Sequence, residues 1–277
     1  MSENNQGKKK TKKKKHSAGR FIGTFFITLF ALCAAGAVFL ILTAEQFNLT
    51  LPGDWFNFTQ TPDQGTGQNQ YGLVEESERA DDAYFDDAVF IGDSLTHGMT
   101  AYPEHLGSIY AVTGIQISTA LMSDAYELEN GGKGTAVDAA AEQNPGKIYL
   151  MFGTNGVNFT TDYTEMIEDY TIMVQHIRQK CPDAIIYIQS IPPVTEGYAT
   201  YVQTKMTPDH IQEYNSLLLK MAEENQCYFL DTYSVLCTES GYLPQKFTSD
   251  SGLHINNDAY DVMFDYIRRH TIKKETE

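Results

Sequence analysis

From about residue 82 onward the chain alternates between two hydrophobic patterns. Short apolar runs at 88–91, 108–112, 147–152, 184–189 and 227–230 are bounded by Gly, Pro, Ser or Asp, which predicts buried strands. Between them, apolar residues recur at helical spacing over 136–143, 161–180 and 207–225, and a last such segment covers 257–273. In the longest, Tyr163, Met166, Ile167, Tyr170, Met173, Val174 and Ile177 form one stripe, which predicts a face turned to a core rather than a ligand box. Pro145 and Pro182 fall in connections. This alternation predicts an α/β fold, a three-layer α/β/α sandwich around a mostly parallel sheet.

The pattern before residue 82 is different. Residues 21–43 carry no charge and are nearly all apolar or small. As a helix they would span roughly 30 Å, the thickness of a bilayer's hydrocarbon core. Residues 1–20 form a Lys-rich head that should stay cytoplasmic, so the rest of the chain is expected outside the cell membrane. A cleaved signal peptide fits less well, because the apolar stretch is longer than the usual ~7–15 residues and Leu42 stands where a small residue is wanted. Residues 44–81 read as a flexible linker, rich in Gly, Gln, Thr and Asp from Gln60 to Gln70. Trp55, Phe56 and Phe58 suit the membrane interface. The expected organisation is thus a basic head (1–20), an anchor (21–43), a linker (44–81) and an extracellular domain (82–277).

Charge sharpens that division. Eight of the 20 Lys and Arg lie in the first twenty residues, with Glu3 as the one acid there. The remaining 12 basic residues face 35 acidic ones, a net of about −23 for the body. So acidic a body excludes nucleic acid as its ligand and fits a solvated extracellular surface. Of the four Cys, Cys33 lies in the anchor, and Cys181, Cys227 and Cys237 are scattered without metal spacing. Structural zinc and a disulfide framework are not expected. A Cys227–Cys237 bridge is conceivable, and buried free thiols are favoured over it.

Four stations carry candidate chemistry. Gly92-Asp93-Ser94-Leu95 ends the first strand, and Gly114 follows the second. Phe152-Gly153-Thr154-Asn155-Gly156 ends the third, and Ser249-Asp250-Ser251-Gly252-Leu253-His254 precedes the last helix. In a parallel sheet the carboxyl ends of the strands share one edge, so Ser94, Gly114 and Asn155 should meet there, with His254 delivered by the final loop. A Ser hydroxyl needs a base to become a nucleophile, and His titrates near neutrality. An oxyanion formed by attack on an ester needs fixed donors, which the Ser94 N–H, the Gly114 N–H and the Asn155 amide can supply. A Ser N-cap at a plain strand end would present the same first station, so the motif needs its partners. The α/β-hydrolase elbow is a poorer match, since Thr96 replaces its second Gly.

In these blocks the chain resembles the SGNH hydrolases, also called the GDSL family, over about residues 85–272. Gly92-Asp93-Ser94-Leu95 matches the nucleophile block, and Gly114 the second-block glycine. Gly153-Thr154-Asn155-Gly156 is similar to Gly-x-Asn-Asp with Gly156 in place of the Asp, and His254 stands in the base block. Ile191-Pro192-Pro193 and Asn215-x-x-Leu218 also look like the family's later segments. The resemblance implies a flavodoxin-like fold and a serine esterase. In it Ser94 is the nucleophile, His254 the base, and Ser94, Gly114 and Asn155 the oxyanion hole, with no metal or cofactor. The family's acid usually stands three residues before the His, where this chain has Ser251. Either a bulge lets Asp250 orient His254, the favoured reading, or the enzyme works as a Ser–His dyad. Asp231 ranks below Asp250 for want of closeness to His254. Asp93 is expected to fix the turn around Ser94, and His97 to lie on the surface. His16, His105, His176, His210 and His270 show no partner pattern.

An acylated cell-wall or surface glycan, or another small ester, is the expected substrate, by analogy alone. A glycan O-acetyltransferase, a lysophospholipase or thioesterase, and a non-catalytic glycan-binding module are the alternatives. No obligate protein partner is evident.

Overall fold

A computed structural model describes residues 71–102, 106–201 and 204–273. The head, the expected anchor at 21–43 and most of the linker lie outside the described residues. The chain divides into two compact units, 1–66 and 67–277, and every described residue belongs to the second. Among the described residues no helix is long and apolar enough to cross a membrane.

The strands are β1 (Gly72–Leu73), β2 (Ala88–Gly92), β3 (Ser108–Ala111), β4 (Tyr126–Glu127), β5 (Lys133–Gly134), β6 (Lys147–Met151), β7 (Ile185–Gln189) and β8 (Tyr228–Leu230). Six of them form one sheet in the order β1-β8-β7-β6-β2-β3, with every pairing parallel. β4 and β5 make a separate antiparallel pair. The five strands expected from the apolar runs are β2, β3, β6, β7 and β8, each within a residue or two of its expected bounds.

The runs are continuous rather than alternating because both faces of the sheet are covered. Val89, Ile91, Ile148, Leu150, Ile186, Ile188 and Phe229 face one core. That core is closed by the helices Ala136–Ala141, Thr164–Lys180 and Pro208–Glu224. From the stripe, Tyr163, Tyr170, Met173, Val174 and Ile177 are buried in it, and Met166 and Ile167 pack half-buried against it. Ala88, Phe90, Tyr149, Met151, Tyr187 and Leu230 face the other core, closed by Ser94–Gly98 and Asn257–Arg269. There the rings of Phe90, Tyr149 and Tyr187 stack at centroid distances of 4.4 and 4.5 Å across three neighbouring strands. Such pairs add about 0.5–1.5 kcal/mol each beyond the area they bury.

The chain crosses from β2 to β3 on one side and returns to β6 on the other. The carboxyl end of β2 is therefore the point where strand order reverses, which is where open α/β sheets bind ligands.

Two features depart from the expectation. The linker does not run to residue 81, because Gly72–Leu73 adds an edge strand to β8 and Val74 is buried. Ser77 is tied to the end of the last helix, its N–H donating to the Arg269 carbonyl at 2.6 Å. The β4–β5 pair was also not foreseen. Cys181 and Cys227 are buried free thiols, and Cys237 is half-buried and free.

In the turn after β7, one side chain satisfies both backbone groups of Ile191. Asn215 accepts the Ile191 N–H at 2.9 Å and donates to the Ile191 carbonyl at 3.1 Å, both buried. Asn215→Ala strands both backbone groups without partners. We expect a loss of about 1–3 kcal/mol, read as a lower midpoint in urea unfolding of purified protein.

Candidate active site

β2 ends at Gly92, where a Cβ would collide with the Thr96 hydroxyl. Asp93 is buried, 1% exposed, and caps the helix Ser94–Gly98 by accepting the Leu95 N–H at 3.0 Å. Ser94 is the first residue of that helix, so its N–H is an orphan donor, and it has no partner among the described residues. Two buried hydroxyls pin this turn. Tyr126 donates to the Gly92 carbonyl at 3.2 Å and Tyr260 to the Leu95 carbonyl at 2.7 Å.

His254 comes from the loop between the turn Gln245–Phe247 and the helix Asn257–Arg269. The loop is closed by the Thr248–Ile255 bridge and by the Ser249 N–H donating to the His254 carbonyl at 2.9 Å. One carboxylate organises its interior. Asp250 Oδ1 accepts the N–H groups of Gly252, Leu253 and His254 at 2.8, 3.0 and 3.1 Å. Asp250 Oδ2 lies 2.6 Å from His254 Nδ1, and His254 Nε2 lies 3.0 Å from Ser94 Oγ. The carboxylate, the imidazole and the hydroxyl thus form one continuous line. Gly252 takes φ +121°, and a Cβ there would collide with Thr195 Oγ1. The Thr195 N–H donates to the Gly252 carbonyl at 3.0 Å, docking the loop on the segment after β7.

The remaining stations lie along the same edge. Gly114, after β3, takes φ +78°, and no atom comes within 4 Å of where its Cβ would stand. Its N–H has no partner among the described residues. Asn155 follows Gly153, whose positive φ is matched by the Tyr214 ring where a Cβ would stand. Tyr214 also donates to the Phe152 carbonyl at 3.2 Å. Asn155 Nδ2 donates to Asp93 Oδ2 at 3.2 Å and to the Ile115 carbonyl at 3.0 Å. Gly156 abuts Met166, leaving no space for a side chain unless the Met moves. Beside these residues opens a cavity of about 410 Å³, lined by Gln116, Gly156, exposed Phe159 and the carboxylates Asp162, Glu165 and Asp169.

The two carboxylates near His254 are driven in opposite directions. Burial pushes Asp250 up, but the His254 ring and the amides of Gly252, His254 and Leu253 outweigh it and hold it at about 2. Burial pushes Asp93 up to about 6 against the pull of the Leu95 amide, the His254 ring and Asn155.

Of the other expected positions, His97 is exposed. His210 and His270 pair through Nδ1 with the Lys205 and Tyr266 carbonyls, each at 2.7 Å. Asp231 caps the helix Thr232–Leu236. Sequence reasoning missed the Asp93–Asn155 bond and the anchoring roles of Thr195, Tyr126, Tyr214 and Tyr260. None of these leaves a local signal, since each partner is distant in the chain.

A model of the GDSL-like Lipase/Acylhydrolase family matches residues 90–262. Among curated proteins no match was found. Solved structures share the fold. A candidate platelet activating factor from Streptococcus pneumonia is 23% identical with a TM-score of 0.52, over 66% of this chain and 82% of that one. A candidate acylhydrolase from Bacteroides fragilis NCTC 9343 is 17% identical with a TM-score of 0.52, over 70% and 88%.

Two measurements check this geometry. Gly252→Ala should displace the His254 loop from Thr195 and lower ester turnover more than stability, read by comparing kcat with Tm. Asp250 titrates lower folded than unfolded, so its stabilising contribution is present above about pH 4 and is lost as pH falls through about 2. The Tm gap between wild type and Asp250→Asn should therefore narrow on acidification from about pH 5. The gap should be small, because both side chains are 37% exposed.

Proposed function

The chain belongs to the GDSL-like lipase/acylhydrolase family, and from that premise we propose a membrane-anchored extracytoplasmic serine esterase working through an acyl-enzyme on Ser94. The observation that carries this reading is the unbroken line Ser94 Oγ–His254 Nε2, 3.0 Å, and His254 Nδ1–Asp250 Oδ2, 2.6 Å.

In this reading the Ser94 O–H gives its proton to His254 Nε2 as Oγ bonds to the ester carbonyl carbon. His254 becomes an imidazolium, held in its tautomer by the Nδ1–H donated to Asp250. The carbonyl oxygen becomes an oxyanion, for which the free Ser94 and Gly114 amides are preset donors, and the Asn155 N–H that rests on the Ile115 carbonyl becomes the third by leaving it. Collapse expels the alcohol, which takes the proton from His254. Water, deprotonated by the same ring, then releases the acid and restores Ser94. Asp250 stays ionised throughout the ordinary pH range because its carboxyl is held at about 2.

The substrate we favour is an O-acyl group on a surface or cell-wall glycan. The supports are chemical. Carboxylates Asp162, Glu165 and Asp169 on the neighbouring cavity wall, and a body of net charge about −23, disfavour a phosphate-bearing lysolipid. The uncharged segment 21–43 behind a Lys-rich head supports the anchor and the orientation.

The test is hydrolysis of p-nitrophenyl esters from acetate to palmitate. We expect short acyl chains to be preferred, Ser94→Ala to lose roughly 10⁶-fold in kcat, and Asp250→Asn to lose toward roughly 10⁴-fold without reaching zero. Full activity in Ser94→Ala would refute the assignment. Acetyl transfer to a sugar outpacing hydrolysis would make the protein a transferase on the same residues. For the anchor, the full chain should stay with membranes through a carbonate wash, and release into the wash would refute it.

A further inference from the structure

Capping does not account for a charged residue at position 93. Ser and Asn cap helices about as well as Asp, yet a buried carboxylate carries a desolvation cost that neutral caps avoid. Around Asp93 stand the buried rings of Tyr126, Tyr170, Tyr214 and Tyr260, all pushed up first by burial and further by the charge of Asp93. The His254 ring acts on it through space. Something at this position needs the second oxygen.

That oxygen is used. Asp93 Oδ1 takes the Leu95 N–H at 3.0 Å, and Oδ2 takes the Asn155 amide at 3.2 Å. The Asn155 amide reaches the Ile115 carbonyl at 3.0 Å as well. One N–H of this NH₂ is held on Asp93 Oδ2, from the turn after β2, and the other rests on the Ile115 carbonyl, after β3, so the second is the one that leaves its carbonyl to meet an oxyanion. Fixing one N–H on Asp93 sets the direction of the other, since the two diverge at a set angle from a planar amide.

We propose that Asp93 is a positioning residue of the oxyanion hole: its carboxylate aims the Asn155 amide while capping the nucleophile helix, so the donor and Ser94 keep one geometry. The proposal rests on the serine-esterase reading. It assigns to Asp93 a role that its cap alone does not require. At neutral pH the carboxyl, pushed up by burial to about 6, is still ionised, which makes the bond to Asn155 charge-assisted.

The proposal separates capping from aiming through two substitutions. Asp93→Asn keeps an acceptor for the Leu95 N–H but turns an NH₂ toward the Asn155 NH₂, donor against donor. Asp93→Ser keeps the cap and is too short to reach Asn155. The experiment is a double-mutant cycle with Asn155→Ala in the full chain, in detergent, on p-nitrophenyl acetate, with circular dichroism confirming the fold of each variant. We expect either Asp93 variant to lose roughly 10²-fold in kcat with KM little changed, as for removal of one oxyanion donor. In the Asn155→Ala background the same substitution should cost less than threefold. Equal losses in both backgrounds would overturn the proposal, as would an Asp93→Ser enzyme with wild-type kcat. Ser94→Ala runs alongside: if it retains the wild-type rate, the esterase reading has failed rather than the role of Asp93.

Discussion

The parallel register that sets Gly92 beside Met151 fixes where every other part of the site can stand. β2 and β6 pair over five residues, Ala88 with Lys147 through Gly92 with Met151. Both strands therefore end at the same level, and Ser94 and Asn155, two and four residues beyond, emerge side by side. A slip of β2 by one residue would turn Val89 and Ile91 out of one core and Ala88 and Phe90 out of the other. The site inherits its accuracy from packing that never touches a substrate.

On that frame the loops are fastened by hydroxyls and bare backbone. Tyr126, Tyr214 and Tyr260 each donate to a carbonyl within three residues of a site residue. Gly153 and Gly252 take positive φ where neighbouring side chains fill the space of a Cβ. Buried tyrosine suits this task because its ring joins the core while its O–H satisfies a turn carbonyl that no ladder reaches. The turns that carry the candidate residues are thereby tied to the two cores, though they lie at the edge of the sheet.

What the sequence disclosed follows from the range of each interaction. The central strands were legible because burial on both faces makes them plain apolar runs. The long helices were legible because one face repeats. β1 was not, since a Gly-Leu pair becomes a strand only by meeting β8, more than a hundred and fifty residues away. Ser94, Asn155 and His254 stood out through neighbouring residues in short blocks. The acid was harder, because Ser251 occupies the expected place. The structure brings Asp250 to His254 Nδ1 through a turn in which one carboxylate oxygen gathers three successive amides. That turn depends on Gly252, a residue whose φ cannot be read from its letter alone. The bond between Asp93 and Asn155 had no local trace, for its two ends are 62 residues apart.

His254 is thus set between two carboxylates that the same fold treats in opposite ways. Asp250, partly exposed and fed by backbone amides and the His254 ring, is held ionised at about 2. Asp93, sealed among tyrosines, is pushed up to about 6. The first touches the imidazole at Nδ1. The second acts on it only through space while its oxygens are spent on Leu95 and Asn155. In the proposed reaction, a charge developing on the ring would therefore be met by one directional partner and one diffuse one. The diffuse partner is also the residue that joins the helix of Ser94 to Asn155. In the proposed reaction, proton transfer to His254 and charge development on the carbonyl oxygen would be coupled through a single buried side chain. In that reading, the carboxylate that would favour the imidazolium is the one bonded to Asn155.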